Sequence, residues 1–402
     1  MDCFSMGGLG QVNTLMPINK NTFCVAPWFS LYVGPDKKIA PCCLFENPSH
    51  DYNDIEEYFK SNELDKVRQD LLKGVKNTHC QNCWKDEEKG KRSLRLISNS
   101  TIGKFTDTPL LDQIKDPKLS NINSFDLVLG NLCNLKCIMC WPEFSSQLLA
   151  EAELNPSLKS RYKKEYNQKD YDWPKKNDFV EWCDKYLPQA IHIKFSGGEP
   201  FIIPWIHSAI DSIPDAQKKK CILHFTTNLT TINDKLFKCF EKFKEVWISV
   251  SVEGFGQTHE YLRFGHSWHT LCDNISKIKK IKHDNIILTI NHVVQAPSYH
   301  SIMEMTKFFD EQQLEIRPIM ITSPEYFHVS ALTKKSKQAF LEDTKKYSGM
   351  NAKFIQFIRS VSQEHIEQDV NKTKELTKHL SEFDLVRGND YKKVIPAGNI
   401  SI

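Results

Sequence analysis

The chain has no long apolar run and almost no excess of charge. No stretch approaches the ~18–20 apolar residues that span a bilayer, so no membrane is expected as a partner. The 53 Lys and Arg nearly balance the 50 Asp and Glu, and a formal charge of +3 is too small to argue for nucleic acid. No internal repeat or low-complexity tract is present. The opening Met1-Asp2-Cys3-Phe4 lacks the charged and apolar segments of an export signal, so a cytoplasmic protein is expected. The 14 histidines are scattered without ligand spacing and take no role here. What remains is ordinary globular composition, 40% hydrophobic and 26% charged, over 402 residues. That length allows two or three domains with real cores.

Cysteine breaks this plainness. There are 13. Exported chains pair such residues as disulfides. Without an export signal, short clustered spacings point to iron–sulfur or zinc ligation instead. Cys133, Cys137 and Cys140 form one group, just after a strand-like run at 125–129 and a turn at Gly130-Asn131. Three thiolates can hold three irons of a 4Fe–4S cube and leave the fourth open to chemistry. Cys24, Cys42, Cys43, Cys80 and Cys83 form a second group. Adjacent strand residues face opposite ways, so Cys42 and Cys43 are not both expected to ligate, and Cys42 is preferred. Cys3, Cys183, Cys221, Cys239 and Cys272 lack short-range partners and read as small hydrophobes.

Three zones are expected. Residues 20–110 carry the second cysteine group. They combine a strand at 28–33, a Gly34-Pro35-Asp36 turn, a return strand ending at 41–43, one amphipathic helix from Ile55 to Leu71, and a Cys80–Cys83 knuckle. Residues 120–325 alternate apolar strands, at 125–129, 191–195, 221–226, 246–252, 286–294 and 314–321, with helical stretches. Such alternation implies a parallel α/β sheet with crossover helices. Six repeats suit a partial (β/α)6 TIM-like barrel, whose chemistry lies at the C-terminal strand ends. Residues 326–402 form a Lys-rich helical extension whose charge runs read as solvated faces. An aromatic, basic insertion at 143–188 separates the first two barrel strands.

Both opening signals of the barrel fall at strand ends. Cys133-Asn134-Leu135-Lys136-Cys137-Ile138-Met139-Cys140 and Gly197-Gly198-Glu199-Pro200 together resemble the radical SAM superfamily over 120–325, about half the chain. The resemblance implies an open-iron 4Fe–4S cluster on Cys133, Cys137 and Cys140. It also implies S-adenosylmethionine, cleaved by one electron to a 5′-deoxyadenosyl radical that abstracts a substrate hydrogen. It places the methionine amino group at Gly197, Gly198 and Glu199, the ribose near Ser251 and Asn291, the methionine carboxylate at Arg263, and Met139 beside the adenine. Glu253 stands where the family has Asp, and Thr226-Thr227-Asn228 ends the third strand as the family's Thr-Asn pair does. No catalytic residue beyond the cluster ligands is assigned.

Cys24, Cys42, Cys80 and Cys83 are similar to the twitch module, a reduced SPASM domain holding an auxiliary iron–sulfur cluster. Here it precedes the barrel, as in a subgroup that shares stretches like Gly90-Lys91-Arg92-Ser93-Leu94-Arg95 and Phe383-Asp384-Leu385-Val386-Arg387-Gly388. The partners implied are a low-potential donor of flavodoxin or ferredoxin type and a peptide or small-molecule substrate. The alternatives are a glycyl-radical-type activase and a non-catalytic zinc-binding interaction protein.

Overall fold

The computed structural model describes residues 19, 21–88, 92–101, 114, 122–162, 164–281, 283–321 and 323–401. Cys3 and the pair Gly90-Lys91 lie outside the described residues. The strands are β1 (Ser30–Val33), β2 (Lys38–Ala40), β3 (His50–Asp51), β4 (Ser124–Leu127), β5 (His192–Phe195), β6 (Ile222–Thr227), β7 (Glu245–Ser251), β8 (Ile286–Val294) and β9 (Ile316–Met320). They form one sheet in the order β3-β2-β1-β4-β5-β6-β7-β8-β9.

Strands β4 to β9 fall within two residues of the sequence expectation at nearly every end. All are parallel to their neighbours, giving an open α/β barrel. The first zone is joined to this sheet rather than standing beside it. β1 pairs in parallel with β4, with Ser30 opposite Ser124 and Val33 opposite Leu127. β2 runs back antiparallel to β1, so Cys42 returns to the N-terminal edge of the parallel sheet. Cys133 follows β4 and lies at the opposite, C-terminal edge. The two cysteine groups therefore sit at opposite edges of one sheet. Strands of four to seven residues at ~3.3 Å per residue set that span at roughly 13–23 Å.

Local structure in the first zone departs from the sequence expectation in three places. Trp28 and Phe29 end a short helix, Ala26–Phe29, because Pro27 supplies the fixed φ of a first helical turn. The helix expected over 55–71 is two, Ile55–Phe59 and Asn62–Lys73, since Ser61 caps the second through the Leu64 amide. Cys80 and Cys83 lie across a 3-10 turn and the start of the helix Gln81–Glu88.

Period-two alternation gives the sheet two unlike faces. Phe125, Ile193, Phe195, Leu223, Phe225 and Ile248 are buried under helices of the main core. The positions between them, Asp126, Lys194, His224 and Trp247, are half-buried. Parallel strands covered on both faces read as continuous apolar runs; these do not, so one face stays polar. The helix Val370–Arg387 closes back on the barrel, where Arg387 chelates the Glu151 carboxylate (2.6 and 3.2 Å). Among the described residues no helix is long and apolar enough to cross a membrane.

Candidate functional site

The loop carrying Cys133, Cys137 and Cys140 is held from every side. The Ser145 hydroxyl donates to the Leu135 carbonyl (2.6 Å) while capping the helix Ser146–Leu154. Ser146 Oγ bonds both the amide and the carbonyl of Cys133 (3.3 Å each). The Lys136 and Ile138 amides donate to the Phe264 and Leu262 carbonyls (3.0 and 2.9 Å). His379 Nε2 donates to the Ile138 carbonyl (3.0 Å), and its Nδ1 accepts from the Tyr326 hydroxyl (3.0 Å). A ring that donates and accepts at once is neutral, and burial pushes its pKa down to about 3. Met139 packs on the small cluster of Cys133, Leu135 and Cys137.

The three thiols lie close enough to repel one another as thiolates. Burial first, and then the neighbouring sulfurs, push Cys133 up to about 12 and Cys140 higher still. Cys137 is raised by burial against the pull of Arg263. Such thiols ionise when a metal takes the proton's place. Burial opposes the Arg263 charge, but Cys137, Glu253, Cys133 and Cys140 together hold it cationic, with a raised pKa. Its Nη1 donates to Glu253 Oε1 (2.9 Å), and among the described residues its enclosed Nε has no partner. Glu253 also accepts from the Val293 amide (3.0 Å), and burial pushes its carboxyl up against both donors.

Gly197 and Gly198 both take left-handed backbone, at φ 68° and 55°. A Cβ on Gly198 would meet the Leu132 carbonyl oxygen at 2.5 Å, and one on Gly197 would strike Val128. Only glycine lets the turn after β5 pass that close to the cysteine loop. Glu199 is directed elsewhere. Its Oε1 accepts from Thr227 Oγ1 (2.6 Å) and the Phe201 amide (3.0 Å), and its Oε2 from the Asn228 amide (2.6 Å). The carboxylate thus ties the glycine turn to the end of β6, and the Glu199 amide ties it to Leu132 (2.8 Å). Glu199→Gln turns one acceptor into a donor facing the Asn228 amide. It should cost about 1–3 kcal/mol of stability, read as a lower urea midpoint; an unchanged midpoint would remove this clamp.

Ser251 and Asn291 face each other across β7 and β8 in register, and among the described residues neither side chain has a hydrogen-bond partner. All the residues expected at the cofactor therefore stand at the C-terminal edge, from β4 to β8. His379, Arg387, Glu151, Ser145 and Ser146 were not foreseen. Of these only the capping serines just after the triplet carry a local signal.

At the opposite edge Cys24, Cys42, Cys80 and Cys83 line one cavity together with Arg95. Cys43 lines only the space on the polar face of the sheet, which Cys42 also borders. The pair sits in a turn beyond β2, and of the two Cys42 lines the cavity shared with Cys24, Cys80 and Cys83. Burial above all pushes Cys24 and Cys80 to about 12 and raises Cys42 and Cys83. The Arg95 charge opposes it at Cys24, Cys80 and Cys83. Four soft sulfur donors suit zinc or an iron–sulfur cluster. Among the described residues, no three His, Cys, Asp or Glu are gathered to hold a single ion.

An open parallel barrel with three thiols, a buried arginine and a glycine turn at its C-terminal edge defines a cofactor-binding α/β barrel protein. Residues 127–309 match the family model described as the Radical SAM superfamily, and the chain carries a domain of that superfamily. The chain is also similar to solved structures at low identity. Native anSMEcpe with bound AdoMet shares 17% identity over 54% of this chain and 57% of its own, with a TM-score of 0.37. SuiB of Streptococcus suis bound to S-adenosylmethionine shares 15% over 80% and 70%, at 0.38. SuiB bound to the precursor peptide SuiA shares 14% over 78% and 60%, at 0.35. The chain thus spans little more than half the length of anSMEcpe. No curated protein matches it.

Proposed function

We propose that the chain is a radical SAM enzyme with an auxiliary cluster, built as a module at 20–110, a barrel at 120–325 and a helical extension at 326–402. The observation that carries this is the gathering of Cys133, Cys137, Cys140 and the half-spent Arg263 at one sheet edge. When bound, a 4Fe–4S cluster with S-adenosylmethionine supplies one-electron cleavage of the sulfonium and a radical that takes hydrogen from substrate. The protein's part is positioning. The three thiols hold the irons, leaving one iron position without a protein ligand. Arg263 keeps an unpaired Nε for the methionine carboxylate, and the glycine turn lets backbone approach the amino group. Ser251 and Asn291 keep free polar ends for the ribose, and Met139 offers a polarizable surface to the adenine. Cys24, Cys42, Cys80 and Cys83 hold the auxiliary cluster. A low-potential flavodoxin or ferredoxin supplies the electron in a cytoplasmic setting.

Anaerobic reconstitution tests this. About eight irons per chain are expected, with methionine and 5′-deoxyadenosine released on reduction. Two zincs and no cleavage would sink the reading in favour of a zinc-binding interaction protein. The cavity assignment adds a sharper result. Cys42→Ala should drop the iron to about four per chain, while Cys43→Ala keeps about eight. The reverse outcome would exchange the two roles.

A further inference from the structure

We propose that the polar face of the sheet, between the two thiol groups, is a chamber for a small carboxylic acid anchored by Lys194. Its role as a substrate site rests on the radical SAM reading above. The chamber encloses about 310 Å³, near the lower end of small-molecule sites (about 300–1,000 Å³). Its wall is one cross-strand row. Tyr32 pairs with Asp126, Asp126 with Lys194, Lys194 with His224, and His224 with Trp247. The row continues toward the C-terminal edge: His224 Nε2 meets Ser249 Oγ (3.0 Å), and Ser249 meets Thr289 Oγ1 (3.3 Å). Ser251 lies two residues further on the same face. One polar row thus runs from the chamber wall toward the proposed ribose positions.

The chamber's one ammonium keeps spare donors. Lys194 Nζ donates to Asp126 Oδ2 (3.0 Å) and has two further N–H groups. Asp126 is engaged on both oxygens, the second by Ser196 Oγ (3.2 Å). Among the described residues the enclosed Ser30 Oγ has no hydrogen-bond partner. Among lining residues Lys194 is paired with Asp126 (3.0 Å), and Arg317 is paired with Glu315 (3.0 Å). A ligand that brings acceptor oxygens can take the two remaining Lys194 N–H groups. One ammonium already shared with Asp126 can offset the single charge of a carboxylate better than the double charge of a phosphate, because a buried charge left uncompensated is costly.

The test uses the reconstituted full chain and fluorine NMR. The probes are 4-fluorobenzoate, 4-fluorobenzamide and 4-fluorobenzylamine, with inorganic phosphate and a capped Gly-Glu-Gly peptide as competitors. The acid should bind at least about tenfold tighter than the amide or the amine, as a charge-assisted pair predicts. Lys194→Gln should lose at least that factor, Lys194→Arg should keep most of the binding, and Asp126→Asn should keep or tighten it by releasing Lys194. Equal binding of the three probes, no saturable binding, or a preference for the amine that Asp126→Asn abolishes would each overturn the proposal. So would phosphate or the peptide binding more tightly than the acid. Cleavage of S-adenosylmethionine in the same samples separates the two readings. Acid binding without cleavage overturns the radical SAM reading alone; cleavage without acid binding overturns the chamber alone.

Discussion

Cys133→Ala, Cys137→Ala and Cys140→Ala should each reduce reductive cleavage of S-adenosylmethionine to background and remove about four irons per chain. Among the described residues no further cysteine stands at the site. Cys183 and Cys221 are sealed in the main core, and Cys24, Cys42, Cys80 and Cys83 lie at the other sheet edge. Removing a residue that merely supports a metal ligand costs about 10–100-fold in affinity or activity, so losing a ligand itself should cost more. Cys272→Ser, on the helix Trp268–Lys280 away from both groups, is the control and should keep both cleavage and iron. Electron paramagnetic resonance of the reduced protein, with product chromatography, reads all four variants. Full cleavage by any one alanine variant would remove that cysteine from the ligand set.

Acid should unfold this protein unusually early. Burial lowers His192, His292 and His300 to about 4, and His266 and His379 to about 3. It drives His224 and His259 well below 6.5. In the unfolded chain each regains a pKa near 6.5. Between about 6.5 and 4 the unfolded chain therefore binds more protons, and stability falls with falling pH. Each such histidine adds about 1.4 kcal/mol per pH unit to the slope once the unfolded group is fully charged. Three would give about 4 kcal/mol per unit, against a usual total of about 5–15 kcal/mol. Glu199 and Glu253, whose burial raises their pKa, act in the opposite sense, since the folded state binds their protons first. Being fewer, they only soften the fall. Urea titrations from pH 7.5 to 5 would show it, and His292→Gln should flatten the slope by close to one proton. A flat profile above pH 5 would contradict the neutral, buried state of these rings.

The barrel was legible because its strands are short apolar runs with turns at both ends, and because both signature motifs sit at strand ends. The first zone was harder. Trp28-Phe29-Ser30-Leu31 looks like a strand, but Pro27 favours a helical turn over its first half. The polar face was hidden in plain alternation. Asp126, Lys194 and His224 read as ordinary strand polar residues until register aligns them across three strands. The charge-rich tail was read as solvated, yet Arg387 and Glu151 are an enclosed pair. The histidines were given no role, because ligand spacing was the wrong test for rings that serve as neutral hydrogen-bonding struts. His379 reaches the cysteine loop from 241 residues away, and no local pattern can report such a contact.

The parallel seating of β1 on β4 bears on how the chain is assembled. An unpaired strand edge is a template for aggregation, and β4 would be one without β1. The hairpin is made first in synthesis and must wait for a partner nearly a hundred residues on. Trp173 and Trp182 then anchor the insertion onto the hairpin segment, through Pro35 and Tyr52 carbonyls 138 and 130 residues earlier. Closing such long loops before any contact rewards it makes folding slow. A chain begun at β4 would expose a raw sheet edge, and β1 is the built-in chaperone of that edge.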